Sequence, residues 1–521
     1  MVPRFSALAI WVFLNAGIGS CRPHSQEYAS ERKLVLQAPA RQILDYSTEV
    51  SKVLQKYLSN KELADHLHDL AKRCEVARIF AVGKSVKGAE LWGLELSNQT
   101  ALNEPRPHFK YVANMHGDEP SGRVLLLALA EWVCGEWRRD AKAARLVQEM
   151  RLFIVPTMNP DGFEAHTREN SKGIDLNRDF PDPIQGRQGP QFMQATGREQ
   201  EETRAMMTWS QSTRFVAGAQ LHEGALVANY PWDGTHNKSR HYAASPDDVT
   251  YRHLASAYAN AHATMNTSKE FKGGITNGAA WYPLWGGMQD WNYLVGGCME
   301  LTLEVSEGKW PPDSSLAQLW ADNHAALVAL PLTATLGGLR GYVREALPQL
   351  HRHLAELEVK WLDNGRPLPG TIHVQGIHHP ITAGVEYGDF YRPLAPGTYT
   401  VTASMRGYEN ATATLTVPSG DTGISHIFEL KRLETPHDLS LSKAIEEAAA
   451  QGSGAVTRLP RKYEPRGHHQ GYAEGEQPPR ALWSKLLPNV ALLVIGLVLI
   501  HVARMAHSRW RRRLPQWLAF T

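Results

Sequence analysis

Cysteine is scarce. Four in 521 residues are too few for spacing to define a pairing: Cys74, Cys134 and Cys298 lie within the body of the chain, and Cys21 lies near its start. Charge of one sign is lacking as well. Lys and Arg total 55 against 53 Asp and Glu, a formal net charge of +2, so no strongly polyanionic partner is implied. No basic stripe carries interleaved aromatics, which argues against nucleic acid as a partner. Long apolar runs are rare, and the two that stand out lie at the ends.

The first run, Ala7 to Leu14, follows Arg4 and precedes the small residues Gly17 to Ser20. It is too short to span a bilayer and reads as a signal peptide over 1–20. The second, Leu486 to Ala503, would extend about 27 Å as a helix, enough for a bilayer core. Five arginines follow it (Arg504, Arg509, Arg511, Arg512 and Arg513), whereas Arg480 and Lys485 precede it. The positive-inside rule then predicts a single-pass type I protein at the plasma membrane or in the secretory pathway. Its body would be extracellular or lumenal and 504–521 would form a basic cytoplasmic tail. That extension also argues against a lipid-anchor signal, which ends in its hydrophobic stretch. Sequons beginning at Asn98, Asn237, Asn266 and Asn410 suit a glycoprotein.

What is present in the body is chemistry at spaced motifs. His108 to Asn114 reads as a buried strand that delivers His116-Gly117-Asp118-Glu119 to the edge of a sheet. An imidazole and a carboxylate three positions apart can grip one zinc ion. Alone, such a pair is common in solvated loops. A third donor fits His222, at the end of the apolar run Phe215 to Leu221, because catalytic zinc sites pair two near ligands with a distant one. The charged and apolar residues are otherwise in ordinary globular proportion, 21% and 43%.

Short apolar runs of strand length recur at Ile79 to Val82, Leu91 to Leu96, Leu152 to Pro156 and Met299 to Val305. They alternate with helical patterns over Ser47 to Cys74, Ser121 to Trp137 and Ser314 to Leu332. The alternation predicts an α/β domain with a central mixed sheet flanked by helices, its ligands in the crevice where loops leave the strands. From about Gly341 short alternating strands with turn signals (Asp363-Asn364-Gly365, Pro396-Gly397, Ser419-Gly420) predict a small all-β sandwich. Residues 433–485 read as a flexible linker.

In order along the chain stand His116-Gly117-Asp118-Glu119, Asn159-Pro160-Asp161-Gly162, Asp175-Leu176-Asn177-Arg178, Trp281-Tyr282-Pro283-Leu284 and Glu300-Leu301-Thr302-Leu303-Glu304. Together they resemble the zinc metallocarboxypeptidases, in the regulatory branch that contains carboxypeptidases D, E, M and N, over about residues 40–432. The resemblance implies a catalytic domain over 40–337 and a transthyretin-like β domain over 338–432, carried by Asn364-Gly365-Arg366-Pro367-Leu368 and Gly388-Asp389-Phe390-Tyr391-Arg392. It implies one Zn2+ on His116, Glu119 and His222, with Glu304 as catalytic carboxylate and Arg168 steadying the oxyanion. It further implies Asn177, Arg178 and Tyr282 on the substrate's terminal carboxylate, and Asp233 and Gln289 at the pocket for the departing residue. The activity implied is release of C-terminal Lys or Arg from peptides and proteins, by an enzyme made without an inhibitory pro-segment.

Three departures from the family pattern stand out: Glu223 where glycine is usual, Val305, and Glu307-Gly308. Two other readings share parts of the pattern. A peptide-binding relative impaired in catalysis would keep the fold, and a zinc deacylase of the aspartoacylase type would share the His-x-x-Glu and distant His but lack the β domain.

Overall fold

The computed structural model describes residues 46–98, 105–182, 196–346 and 365–433. The expected signal peptide, the linker from residue 434, the span at 486–503 and the basic tail all lie outside these residues. Among the described residues no helix is long and apolar enough to cross a membrane.

An eight-stranded sheet, ordered β1-β2-β4-β3-β5-β8-β6-β7, forms the centre. Its strands are β1 (Ala77–Lys84), β2 (Glu90–Leu96), β3 (His108–Ala113), β4 (Arg151–Val155), β5 (Ala217–His222), β6 (Ala225–Tyr230), β7 (Ile275–Asn277) and β8 (Met299–Ser306). The four middle strands, β4, β3, β5 and β8, run parallel, while β2 joins β4 and β6 joins β8 antiparallel. The sheet is therefore mixed, as expected from the alternation of strands and helices.

Period-two alternation sorts the middle strands between two cores. On β8, Met299, Leu301, Leu303 and Val305 pack with Phe109, Tyr111, Ala219 and Leu221 in the larger core. The opposite face of β8 presents Glu300, Thr302, Glu304 and Ser306, all buried. Glu300 is absorbed there by the ammonium of Lys110 at 3.2 Å and by Asn292 Nδ2 at 2.8 Å. Glu304, four residues on, has no such partner and reaches the cleft.

Helices cover both faces. They are α1 (Tyr46–Val53), α2 (Asn60–Arg73), α3 (Ser121–Glu136), α4 (Ala141–Gln148), α5 (Glu201–Thr213), α6 (Asp248–Ala261) and α7 (Leu316–Leu336). The helical pattern read over Ser47 to Cys74 is two helices, not one. The first stops after Val53, and Ser59 starts α2 with a capping box: Glu62 N donates to Ser59 Oγ and Ser59 N to Glu62 Oε2. Leu63, Leu67 and Leu70 then recur on one face and are buried.

Cys74 and Cys134 form a disulfide that the spacing alone left open, linking residues just past α2 and within α3. The bond closes a chain segment with a sequence separation of 60. In the loop-entropy account its removal costs about 4 kcal/mol. A Cys74→Ala/Cys134→Ala variant is expected to show a correspondingly lower denaturant midpoint, with activity per folded molecule unchanged, because neither cysteine lines the cleft.

Residues beyond α7 form the β sandwich. One sheet is ordered β11-β10-β13-β14 and the other β12-β9-β15. The strands are β9 (Leu339–Glu345), β10 (Thr371–Val374), β11 (Ile377–Thr382), β12 (Asp389–Arg392), β13 (Gly397–Ser404), β14 (Ala411–Val417) and β15 (Ile424–Leu430). Leu339, Val343, Ile372, Phe390, Val401 and Phe428 fill the space between the sheets. Arg392 of β12 leaves this core and is fully buried against the α/β part of the fold, where its guanidinium meets Asp247 Oδ1 at 2.7 Å at the start of α6. The other Asp247 oxygen accepts from Tyr293 Oη at 2.8 Å. Removing one member strands the other charge in the interior, so Asp247→Ala is expected to cost roughly 3–5 kcal/mol in chemical denaturation.

Candidate active site

Strands β3 and β5 are parallel neighbours, so the turns leaving their C-terminal ends lie side by side. This is the sheet's carboxyl end rather than its lateral margin. The first turn carries His116 and Glu119, and the second strand ends in His222. Their donor atoms converge: His222 Nδ1 lies 2.8 Å and His116 Nδ1 3.0 Å from Glu119 Oε2, and the two Nδ1 atoms are 3.1 Å apart. The three side chains are buried and offer ligand atoms within 4.8 Å of one another.

The donor set fits zinc in its chemistry as well as its placement. Each imidazole turns Nδ1 to the common centre, and an acceptor holds its other nitrogen. His116 Nε2 lies 3.1 Å from Asp175 Oδ1, and His222 Nε2 lies 3.2 Å from Gln220 Oε1. Such outer partners fix the ring tautomer and orientation that a ligating histidine needs. Burial alone would raise the Glu119 carboxyl, but the imidazoles of His116 and His222 override it and hold Glu119 well below the usual range, ready as an anionic ligand.

A cleft of about 230 Å³ opens over this group. Besides the three donors it is lined by Arg168, Asn177, Arg178, Asp233, Tyr282 and Glu304. Gln289 is the exception among the residues picked out from the sequence. It is buried, its Oε1 accepts from Thr302 Oγ1 at 2.9 Å, and its side chain meets Asp233, so it stands beside the pocket group while Thr302 lines the cleft.

Glu304 pairs in register with His222 across β5 and β8, which places it beside the donors. Burial, with the nearby Glu119 charge, pushes its carboxyl well above the ordinary value, while Lys309 and Arg168 pull the other way. A carboxyl so poised suits proton transfer. Arg168 lies within reach of the same centre: Nη1 donates to Glu119 Oε1 at 3.2 Å, and Nε donates to Asp175 Oδ2 at 3.0 Å.

Asp175, Asn177 and Arg178 share a short helical turn that opens with the Asp175 side chain accepting from Asn177 N. Asn177 is pinned from behind, its Oδ1 accepting from Met288 N at 3.0 Å. Arg178 is held at its base, Nη1 donating to the Asn177 carbonyl at 2.8 Å. Tyr282 follows a short helix, Gly278–Trp281, is 43% exposed and lines the cleft. Burial of the rest of the ring, with the Glu304 charge, pushes that phenol up to about 12.

Asp233 lines the cleft and is 2% exposed. It is no mere turn residue. Asn229 Nδ2 donates to its Oδ1 at 2.9 Å, and Asp290 accepts its backbone amide through both oxygens at 3.0 and 3.1 Å. A Cβ on Gly278 would lie 1.9 Å from Asp233 Oδ1, so the backbone there must be bare for the carboxylate to fit. Burial pushes the Asp233 carboxyl up to about 6 despite Asn229 and Arg178.

Glu223 also lines the cleft, but its carboxylate is taken up by two backbone amides. Its Oε1 accepts from Ser121 N and its Oε2 from Trp310 N at 2.8 Å. Burial, opposed by these amides, pushes its carboxyl up to about 8. Several residues of the site carry no role in the sequence reading: Asp175, Gln220, Asp290, Thr302 and Lys309. Asp175 and Gln220 each sit two positions from a named residue, so their facing was readable. Lys309, whose Nζ reaches Glu119 Oε1 at 2.8 Å and Asp118 Oδ2 at 3.0 Å, left no local signal.

Residues 63–326 match the family described as zinc carboxypeptidase. The chain is 45% identical over 361 residues to carboxypeptidase SOL1 of Arabidopsis thaliana, which covers 69% of each. It is 37% identical over 459 residues to the carboxypeptidase N catalytic chain of Mus musculus, covering 80% of this chain and 94% of that one. The corresponding chain of Homo sapiens is 37% identical over 409 residues, covering 71% and 85%.

Proposed function

The chain belongs to the zinc carboxypeptidase family, and we propose that it is an exopeptidase that releases C-terminal Lys or Arg from peptides and proteins. One observation carries the substrate class. Arg178 and the buried carboxylate of Asp233 line the same cleft as the His116, Glu119 and His222 donors and Glu304.

When bound, zinc supplies Lewis acidity that makes water a stronger nucleophile near neutral pH and polarises the scissile carbonyl. Arg178, helped by Asn177, clamps the terminal carboxylate through paired N–H donors, and the free end of Tyr282 closes over it. Glu304 takes the proton of the attacking water and delivers it to the departing amine. Arg168 donates to the oxygen on which negative charge develops. Asp233 accepts the cationic end of the departing side chain, and its buried setting makes an uncharged side chain there leave the carboxylate unmatched.

The same reading takes the sandwich as a transthyretin-like domain at 338–432 behind a catalytic domain at 40–337. It also takes the protein as a glycosylated, membrane-anchored product of the secretory pathway. Asn237, Asn266 and Asn410 are exposed, which suits sequon use, and the Cys74–Cys134 disulfide suits an oxidising compartment. The deciding experiment is release of the last residue from otherwise identical peptides ending in Arg, Lys, Leu or Glu, with and without a zinc chelator. Chelator-sensitive release of Arg and Lys, at least about tenfold faster than Leu, is expected. Equal release of Leu would overturn the substrate class.

A further inference from the structure

Glu223 has no part in the reaction just described, yet its placement is unusual. It follows His222 directly and is 3% exposed. Helix α3 begins at Ser121, two residues after Glu119, behind Pro120, and has no side-chain cap from its own N-terminal segment. Glu223 supplies that cap from the turn after β5, its Oε1 accepting the Ser121 amide. A carboxylate at the start of a 16-residue helix also meets the positive end of its dipole.

The second oxygen binds a different wall. Trp310 N donates to Glu223 Oε2 at 2.8 Å, in the loop that leaves β8 after Glu304. Trp310 holds φ 49°, a left-handed conformation uncommon for a bulky side chain. Its ring stacks on His166, with centroids 4.1 Å apart. Lys309, its neighbour, is thereby set over Asp118 and Glu119. Finally, the Glu223 backbone amide donates to Glu119 Oε2 at 3.2 Å. One residue thus ties the segment of Glu119, the strand end of His222 and the loop after Glu304.

We propose that Glu223 is a positioning residue for the metal centre: its carboxylate clamps the start of α3 to the 307–310 loop and so keeps Glu119 in register with His222. The proposal rests on the zinc-peptidase reading but not on the basic-residue preference.

The test uses the full-length protein loaded with zinc and follows metal release into excess chelator with an indicator dye, alongside thermal melts of loaded and stripped protein. Glu223→Ala is expected to release zinc roughly tenfold to a hundredfold faster, the scale on which partners of metal ligands act. Glu223→Gln keeps the size and one acceptor oxygen, and is expected to fall between the two. A purely structural role would lower both melts equally and leave release within about twofold of the parent, which overturns the proposal. If Glu223→Ala does not fold, Glu223→Gln decides alone, and an unchanged release rate in it is equally fatal. A parent that holds zinc but shows no preference for basic termini sinks the proposed substrate class and leaves this inference standing. A parent that binds no zinc sinks both.

Discussion

Glu304→Gln is expected to lower kcat for release of C-terminal Arg by roughly 10³-fold or more, with zinc content and KM little changed. The amide is nearly isosteric and keeps the contacts that place residue 304 beside His222 in register. It cannot accept a proton from water at any pH the fold survives. Burial and Glu119 already hold the native carboxyl above its ordinary value. Glu300, four residues back on the same face, offers a control. It is bound to Lys110 and Asn292 and does not line the cleft. Glu300→Gln leaves Lys110 as an uncompensated buried cation, and its main expected effect is therefore on stability. Zinc content by metal analysis and steady-state kinetics on one peptide check both variants. Full activity in Glu304→Gln would move the proton-transfer role to another group.

Asp233→Asn is expected to change which peptides are cut. The carboxylate is buried and braced, so a guanidinium or ammonium entering the pocket is stripped of water and must find its charge matched there. Losing one member of such a pair costs about 2–5 kcal/mol, or roughly 30-fold to several thousandfold in kcat/KM for Arg. The effect should fall mainly on KM, and peptides ending in Leu should be unaffected or improve. A pH dependence follows in the parent. The binding species is the carboxylate, and burial pushes its carboxyl up to about 6. KM for C-terminal Arg is therefore expected to rise as pH falls through about 6, while KM for Leu does not. Measuring the Arg-to-Leu ratio of kcat/KM across that range checks the sign. An Arg-to-Leu ratio left intact by Asp233→Asn would assign the preference elsewhere, with Thr302 and Asn229 as the remaining polar groups of that wall.

Much of this site was readable before any fold was known, and the reason is local. Zinc donors three apart, a polar face on an otherwise apolar strand, and an Asn-Arg pair within one motif each reside in a few consecutive residues. Strand periodicity alone placed Glu300 and Glu304 on one face. It could not say that Lys110, distant in sequence, would neutralise the first and leave the second to the cleft. Gln289 needed the fold: it is buried beside Asp233, whose carboxylate its side chain meets, and its Oε1 accepts from Thr302 Oγ1. The break in the first helical stretch, between Val53 and Ser59, left no mark in the apolar spacing, which runs on through Tyr57 and Leu58.

By itself the amino-acid sequence determined the α/β order of elements, the β sandwich after it, and the side chains with the chemistry of a zinc peptidase. Those features depend on periodicity and residue type, which act over a turn of helix or a few strand positions. The tertiary structure alone decided which group holds each imidazole, where Lys309 comes to rest, how Asp290 braces Asp233, and that Glu223 caps α3. Each of these depends on parallel register and on the paths of loops joining strands far apart in the chain, and no local pattern encodes the meeting of side chains across such distances.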